Sequence, residues 1–194
     1  ERTDDPAQAH PMPFFGILTW VAPPAEAEDS APAFQHAPET ALPVLEDGGA
    51  RLRLILGRGW GAQAPVATFS EMVYADAHLA PGAALPLPDD HEDRGFHVVE
   101  CEVAIAGDRF AAGRMAVVRP GDRLSLRAGP QGARVMVLGG ATLEGPRHIW
   151  WNFVASSRER IEVAREAWRA PDRAGGPFRL PPGDDAEFIP LPEA

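Results

Sequence analysis

The densest grouping of titratable side chains is His91, Glu92, Asp93 and His97, all within one short stretch. Imidazole and carboxylate together are ligands that suit a borderline transition metal such as iron. Their spacing argues against convergence, because neighbours on an extended chain point to opposite faces. A solvated acidic loop beside a surface histidine is the stronger reading. His78 and His148 stand alone and read as structural histidines. Cys101 lies in an apolar run, where a free thiol behaves as a small hydrophobe. Gly57-Arg58-Gly59-Trp60-Gly61 has glycines enough for a phosphate-cradling turn, but Ala-Gln-Ala-Pro follows rather than a helix. A loop between strands is the better reading. No Ser-His-Asp arrangement and no close carboxylate pair stands in a suitable context. All 18 basic residues are arginine, which excludes Schiff-base lysines and the P-loop lysine.

The wider composition narrows the classes further. A net charge of −10 and a pI near 5.0 should repel phosphate backbones, and no arginine cluster offsets that, so no direct nucleic-acid partner is expected. The lone Cys101 cannot close an internal disulfide and suits a reducing compartment, so the expected location is cytoplasmic. No apolar run approaches a membrane span. At 194 residues and 45% hydrophobic content, the chain can bury a sizeable core. It opens on Glu1 rather than Met, so a processed chain, a clipped one or a fragment of a longer protein is expected.

The elements that would position any site are mostly strands. Phe96 to Ile105, Met115 to Arg119 and Leu124 to Arg127 read as strands separated by turns at 106–108, 112–114 and 120–122. Arg51 to Leu56 alternates, with Leu52 and Leu54 on one face. Glu71 to Leu79 alternates too, placing Met72, Tyr74, Asp76 and His78 opposite Val73, Ala75, Ala77 and Leu79. Val135 to Leu138 supplies another strand. Phe14 to Val21, bounded by prolines, reads as a buried strand without a pairing neighbour nearby. Residues 22–43 have linker composition. Ser156 and Glu159 form a capping-box pattern before an amphipathic helix of three to four turns, with Ile161, Ala164 and Trp168 on one stripe. That stripe must dock on apolar surface. The domain boundary falls in the linker. With the preceding barrel that the family resemblance given below implies, the expected organisation is residues 1–43 as the end of that barrel plus linker, 44–145 as a complete barrel, and 146–194 as closing strand, helix and extended tail, the helix stripe meeting the junction between barrels.

This order of strands and Gly-containing turns resembles the middle of a cupin-type jelly roll. The expected fold class is therefore all-β: a cupin-type double-stranded β-helix with one C-terminal amphipathic helix, to which the family resemblance given next adds an N-terminal strand left from a preceding barrel. The cupin pattern places His-x-His and a glutamate just ahead of a strand similar to His97-Val98-Val99-Glu100-Cys101. By that resemblance the ligand positions fall on Pro88, Asp90 and Arg94, and a second-motif histidine falls on Leu124. Arginine and leucine are not metal ligands, so this barrel is expected to be metal-free.

Residues 145–154, Gly-Pro-Arg-His-Ile-Trp-Trp-Asn-Phe-Val, followed by Ser156-Ser157-Arg158-Glu159-Arg160-Ile161, resemble the signature near the end of pirin-family proteins. Phe15-Gly16-Ile17-Leu18-Thr19-Trp20-Val21 is similar to the last strand of that family's N-terminal barrel, and residues 185–192 are similar to its closing segment. The resemblance implies a bicupin whose first barrel carries iron (Fe) through histidines and a glutamate. It places Glu1 at the glutamate, with its partners in an N-terminal cupin barrel missing from these residues. It implies an iron-dependent dioxygenase acting on a flavonol such as quercetin. The alternative it implies is a non-enzymatic regulatory protein that binds a protein partner.

Overall fold

Alternation of apolar and polar residues makes the strands, and long-range ladders put them together. The computed structural model describes residues 16–170, 176–178 and 189–192. Among them the order is β1 (Val44–Asp47), β2 (Ala50–Gly59), β3 (Ala62–Gln63), β4 (Met72–Leu79), β5 (Ala84–Pro86), β6 (Asp93–Ile105), β7 (Asp108–Ala111), β8 (Met115–Val118), β9 (Ser125–Gly140), β10 (His148–Trp150), β11 (Phe153–Ala155) and helix α1 (Arg158–Arg169).

The first nine strands form one antiparallel sheet with the path β1-β2-β4-β9-β6-β7, to which β3 adds on β2, β5 on β9 and β8 on β6. Two long strands serve both halves of the barrel. Residues 93–98 of β6 pair with the 135–140 end of β9, and Val103 and Ala104 pair with Ala128 and Arg127. Register shifts after Val98 and Cys101 bend β6 between those two stretches. The separate strands expected at 124–127 and 135–138 are thus two ends of one strand, β9. Gly129, Pro130, Gln131 and Gly132 carry it through a bend rather than a reversal.

The alternation read from β2 and β4 places the core where expected. Leu52, Leu54, Val73, Ala75, Ala77 and Leu79 are buried on one face. They meet Phe96, Val98, Leu126, Val135 and Val137 in a single cluster. Phe110 meets Phe96 edge-on with ring centres 5.3 Å apart.

Two local expectations need correction. Residues 16–21 of the expected strand Phe14 to Val21 form no strand; the rest of it lies outside the described residues. A strand exists through ladder partners, and none of the described residues supplies one. Instead Thr19 lies against β4, its hydroxyl hydrogen-bonded to the Tyr74 hydroxyl at 2.8 Å. The helix cap also shifts by one residue. Ser157 is the N-cap and accepts from the Arg160 N–H at 3.3 Å, while the Ser156 hydroxyl donates to Glu28 at 2.7 Å. The expected capping box is therefore not formed, since the third helical position is Arg160. Glu159 accepts from its own backbone N–H and then from the Ser157 hydroxyl, which hold its carboxyl below the usual range.

No helix among the described residues is long and apolar enough to cross a membrane.

Candidate functional site

The loop from Leu87 to Glu92 and the turn from Arg119 to Asp122 meet at one end of the barrel, and Arg94 ties them together. Arg94 starts the buried run of β6 and is 2% exposed. Its guanidinium donates to the carbonyls of Pro88 (3.0 Å), Arg119 (3.1 Å) and Asp122 (2.8 Å). Leu87 N–H donates to Leu124 O at 2.9 Å, closing the same end. Of the positions that the cupin resemblance singled out, Pro88 and Arg94 are in direct contact and Leu124 closes the same end, so a cation already stands there. A second positive charge would be repelled, and the Leu124 side chain contributes only apolar packing. The donor set of this barrel end does not fit a metal. Among the described residues no group of three or more His, Cys, Asp or Glu is placed to hold one. Glu1, the ligand implied by resemblance, lies outside the described residues.

His91, Glu92, Asp93 and His97 do not converge, as strand geometry predicted, yet His91 is not the surface residue expected. It is 3% exposed. One imidazole nitrogen, Nε2, lies 2.8 Å from the Arg58 carbonyl, which pins the loop to the end of β2. Its Nδ1 has no hydrogen-bond partner and faces Glu71 Oε1 at 3.9 Å, too far for a direct bond. Asp93 turns away and accepts from the Thr142 hydroxyl at 2.8 Å. His97 sits mid-strand, opposite Met115 on one side and Met136 on the other.

The outer face of the sheet holds a second polar group. Asp76 is 8% exposed and accepts from Arg134 through both oxygens, at 3.0 and 2.8 Å. His78, two residues along the same face, places Nε2 3.6 Å from Asp76. Burial pushes the Asp76 carboxyl up, but hydrogen bonds and charge from Arg134, then His78, outweigh it and leave the carboxyl below the usual aspartate value. Cys101 also departs from expectation. It is exposed and takes φ 61° at the bend of β6 rather than lying in the apolar core.

The C-terminal elements form their own cluster. The β10–β11 hairpin and α1 bring together Trp150, Trp151, Phe153, Trp168 and Phe178 around buried Ile161. Trp168 meets Trp151 at 5.4 Å and Phe178 at 5.2 Å between ring centres, and its indole N–H donates to Ile189 O at 2.9 Å. Arg165 lies over the Trp150 ring at 4.3 Å. The helix stripe is thus covered by this hairpin, not left for the junction between barrels. Glu28 fastens the linker to the same unit, accepting from Ser156 and pairing with Arg160 at 3.0 Å. Beneath it a cleft of about 580 Å³ lies between Pro23, Glu28, Phe153, Ile161 and Phe178.

Apolar surface remains elsewhere. Leu18 is 88% and Trp20 53% exposed, and Val21 and Phe69 are exposed beside them. A smaller hollow runs between Trp20 and Val21 on one side and Leu56, Met72 and Leu138 on the other.

The family described as the Pirin C-terminal cupin domain matches residues 74–173, which covers most of the barrel and reaches past α1. The chain belongs to the pirin family. A pirin-like protein of Caulobacter vibrioides is 40% identical over 92% of this chain, which spans 60% of that relative. A Pseudomonas aeruginosa protein, provisionally named a quercetin 2,3-dioxygenase, is 35% identical over 89% of this chain and 55% of its own length. The crystal structure of a quercetin 2,3-dioxygenase from Acinetobacter baumannii superposes with a TM-score of 0.77 at 25% identity, covering 90% of this chain and 57% of that one. The cupin fold expected from the strand and turn order is therefore the one observed, and the pirin resemblance holds. The chain spans less than two thirds of these pirin-family relatives.

The sequence placed Arg94 only at a non-ligating cupin position and did not show that it ties two loops; Glu28 was missed altogether. An arginine directly ahead of an apolar strand, paired with a Pro-Gly-Asp turn further on, is a faint signal for Arg94. Glu28 gave none, since its partners lie more than a hundred residues away.

Proposed function

We propose that this chain is the C-terminal portion of a pirin-type bicupin with iron-dependent, quercetin 2,3-dioxygenase-like activity, and that its own barrel is the metal-free, structural half. The observation that carries this is Arg94. A buried guanidinium bonded to three loop carbonyls does the tying that a metal does elsewhere, and its charge opposes a metal at the same place. Iron, when bound in the longer protein, would supply the oxygen chemistry, and Glu1 is its proposed ligand from this chain. The names of the relatives support the substrate class, a flavonol.

The proposed partner of the exposed apolar residues Ile17, Leu18, Trp20 and Val21 is the N-terminal cupin barrel of the longer protein. Four large apolar side chains in one short segment are costly to leave in water. Metal analysis and quercetin turnover on the full-length protein test the reading. Expected are about one iron per chain, loss of iron and turnover in Glu1→Gln, and no iron retained by the 194-residue chain. Iron retained by this chain alone would overturn the metal-free assignment; no iron and no turnover at full length would sink the oxygenase assignment. The same exposed segment also favours a second reading, a non-enzymatic regulatory protein that binds a protein partner.

A further inference from the structure

We propose that the open edge of β8 is a docking site for an extended acidic segment of another protein, added as a further antiparallel strand. This rests on neither reading above. Among the described residues β8 pairs with β6 alone. Val98 exchanges backbone bonds with the start of β8: its N–H donates to Arg114 O and its carbonyl accepts from Gly113 N–H, both at 2.8 Å. By the two-residue alternation of an antiparallel ladder, Phe96 and Arg94 face β8 in the same way, and Ala116 and Val118 answer them. The peptide groups of Met115 and Val117 therefore point to the open side. No backbone hydrogen bond from another described residue reaches the N–H or carbonyl of Met115 or Val117 on that side, and the two residues are 55% and 75% exposed.

Charge identifies the occupant. Arg114 and Arg119 flank the strand, both exposed, and neither side chain makes an ion pair among the described residues. In a protein of net charge −10, the exposed arginines at 51, 58, 109, 123, 160 and 169 are paired with carboxylates and Arg127 donates to the Gly82 carbonyl; Arg114, Arg119 and Arg158 make no ion pair among the described residues, and the first two stand at the ends of one edge strand. They are five residues apart, roughly 17 Å along an extended chain. A strand with apolar residues at alternate positions and a carboxylate at each end would satisfy the open peptide groups, cover Met115 and Val117, and pair both arginines. A second copy is a poor occupant. Antiparallel pairing of β8 with itself brings Arg114 of one copy beside Arg119 of the other.

The opposing account is that these arginines only guard an edge against unwanted pairing. The two are separated by titrating the isotopically labelled full-length protein with two capped peptides of identical Val-Thr-Val-Thr core, one with Asp and Glu at its ends and one with lysines. Expected is saturable movement of the amide signals of Met115 and Val117 with the acidic peptide, and binding weaker by about fivefold or more with the lysine peptide. Arg114→Glu with Arg119→Glu should reverse that preference. Val117→Pro, which removes an outward N–H without touching the β6 ladder, should abolish binding by both. No binding by either peptide, shifts centred elsewhere, or a preference unchanged by the double charge reversal would overturn the proposal. So would self-association through β8.

Discussion

In the barrel, Leu54, Val73, Phe96, Leu126, Val135 and Val137 are packed between strands drawn from distant parts of the chain. In the hairpin–helix unit, residues 148–169 fold back on themselves, and five aromatic rings replace the aliphatic layer. Polar groups differ in the same way. The barrel satisfies its loop carbonyls from inside, through the guanidinium of Arg94. The hairpin–helix unit is joined to the linker from outside, through Glu28. The contrast teaches that the barrel end depends on one buried cation, whereas the C-terminal unit depends on ring contacts and on the Glu28 carboxylate shared between mostly buried Arg147 and exposed Arg160.

Arg94→Met should break the barrel side of this contrast most. It leaves three carbonyls without their donor in a buried setting, and a loss of about 3 kcal/mol is expected in urea denaturation followed by far-ultraviolet circular dichroism. Arg94→Lys, keeping charge but not the fork, should fall between. Retained wild-type stability in Arg94→Met would show that solvent reaches those carbonyls.

Trp168→Ala should break the other side. Removing a ring that touches Trp151, Phe153 and Phe178 costs about 3 kcal/mol locally. Near-ultraviolet circular dichroism should lose its tryptophan signal early in heating while the barrel transition stays put. A single shared transition would mean that the two regions melt as one.

Asp76→Asn sharpens the comparison through pH. The carboxyl is held below the ordinary aspartate value of 3.8 in the folded protein. Its contribution is therefore complete at neutral pH and fades as the pH falls below that value. The wild type should exceed the variant by about 1–2 kcal/mol at pH 7, and the gap should narrow in acid. A gap independent of pH would mean that the Arg134 pairing contributes nothing.

The smallest effect is expected from Glu28→Gln. Arg160 is well exposed, so its pairing is screened by salt. A melting shift of about 1–2 °C, shrinking further at high salt, is expected. Loss of the linker's protection from protease without any melting shift would place its role in holding residues 22–43 rather than in stability.

Much of this fold was legible because it depends on local pattern. Alternation in β2 and β4 named the core face, and the turns at 106–108, 112–114 and 120–122 fell between strands as read. The stripe of Ile161, Ala164 and Trp168 announced the helix. The short strands β1, β5 and β7 escaped because three or four residues carry too little periodicity, and their existence depends on a neighbour's open edge. The bend at 129–132 escaped because Gly and Pro mark a bend and a turn alike.

By itself the amino-acid order determined the β-rich class, the amphipathic helix at 158–169 and the absence of lysine chemistry. Those follow from residue type and spacing along one stretch of chain. Only the tertiary structure decided that Arg94 spans two loops, that His91 is buried against Arg58, and that Glu28 reaches Ser156 and Arg160. Each of these depends on the distance between atoms far apart in sequence, and the energy of a hydrogen bond or charge pair is set by that distance and by the water excluded around it.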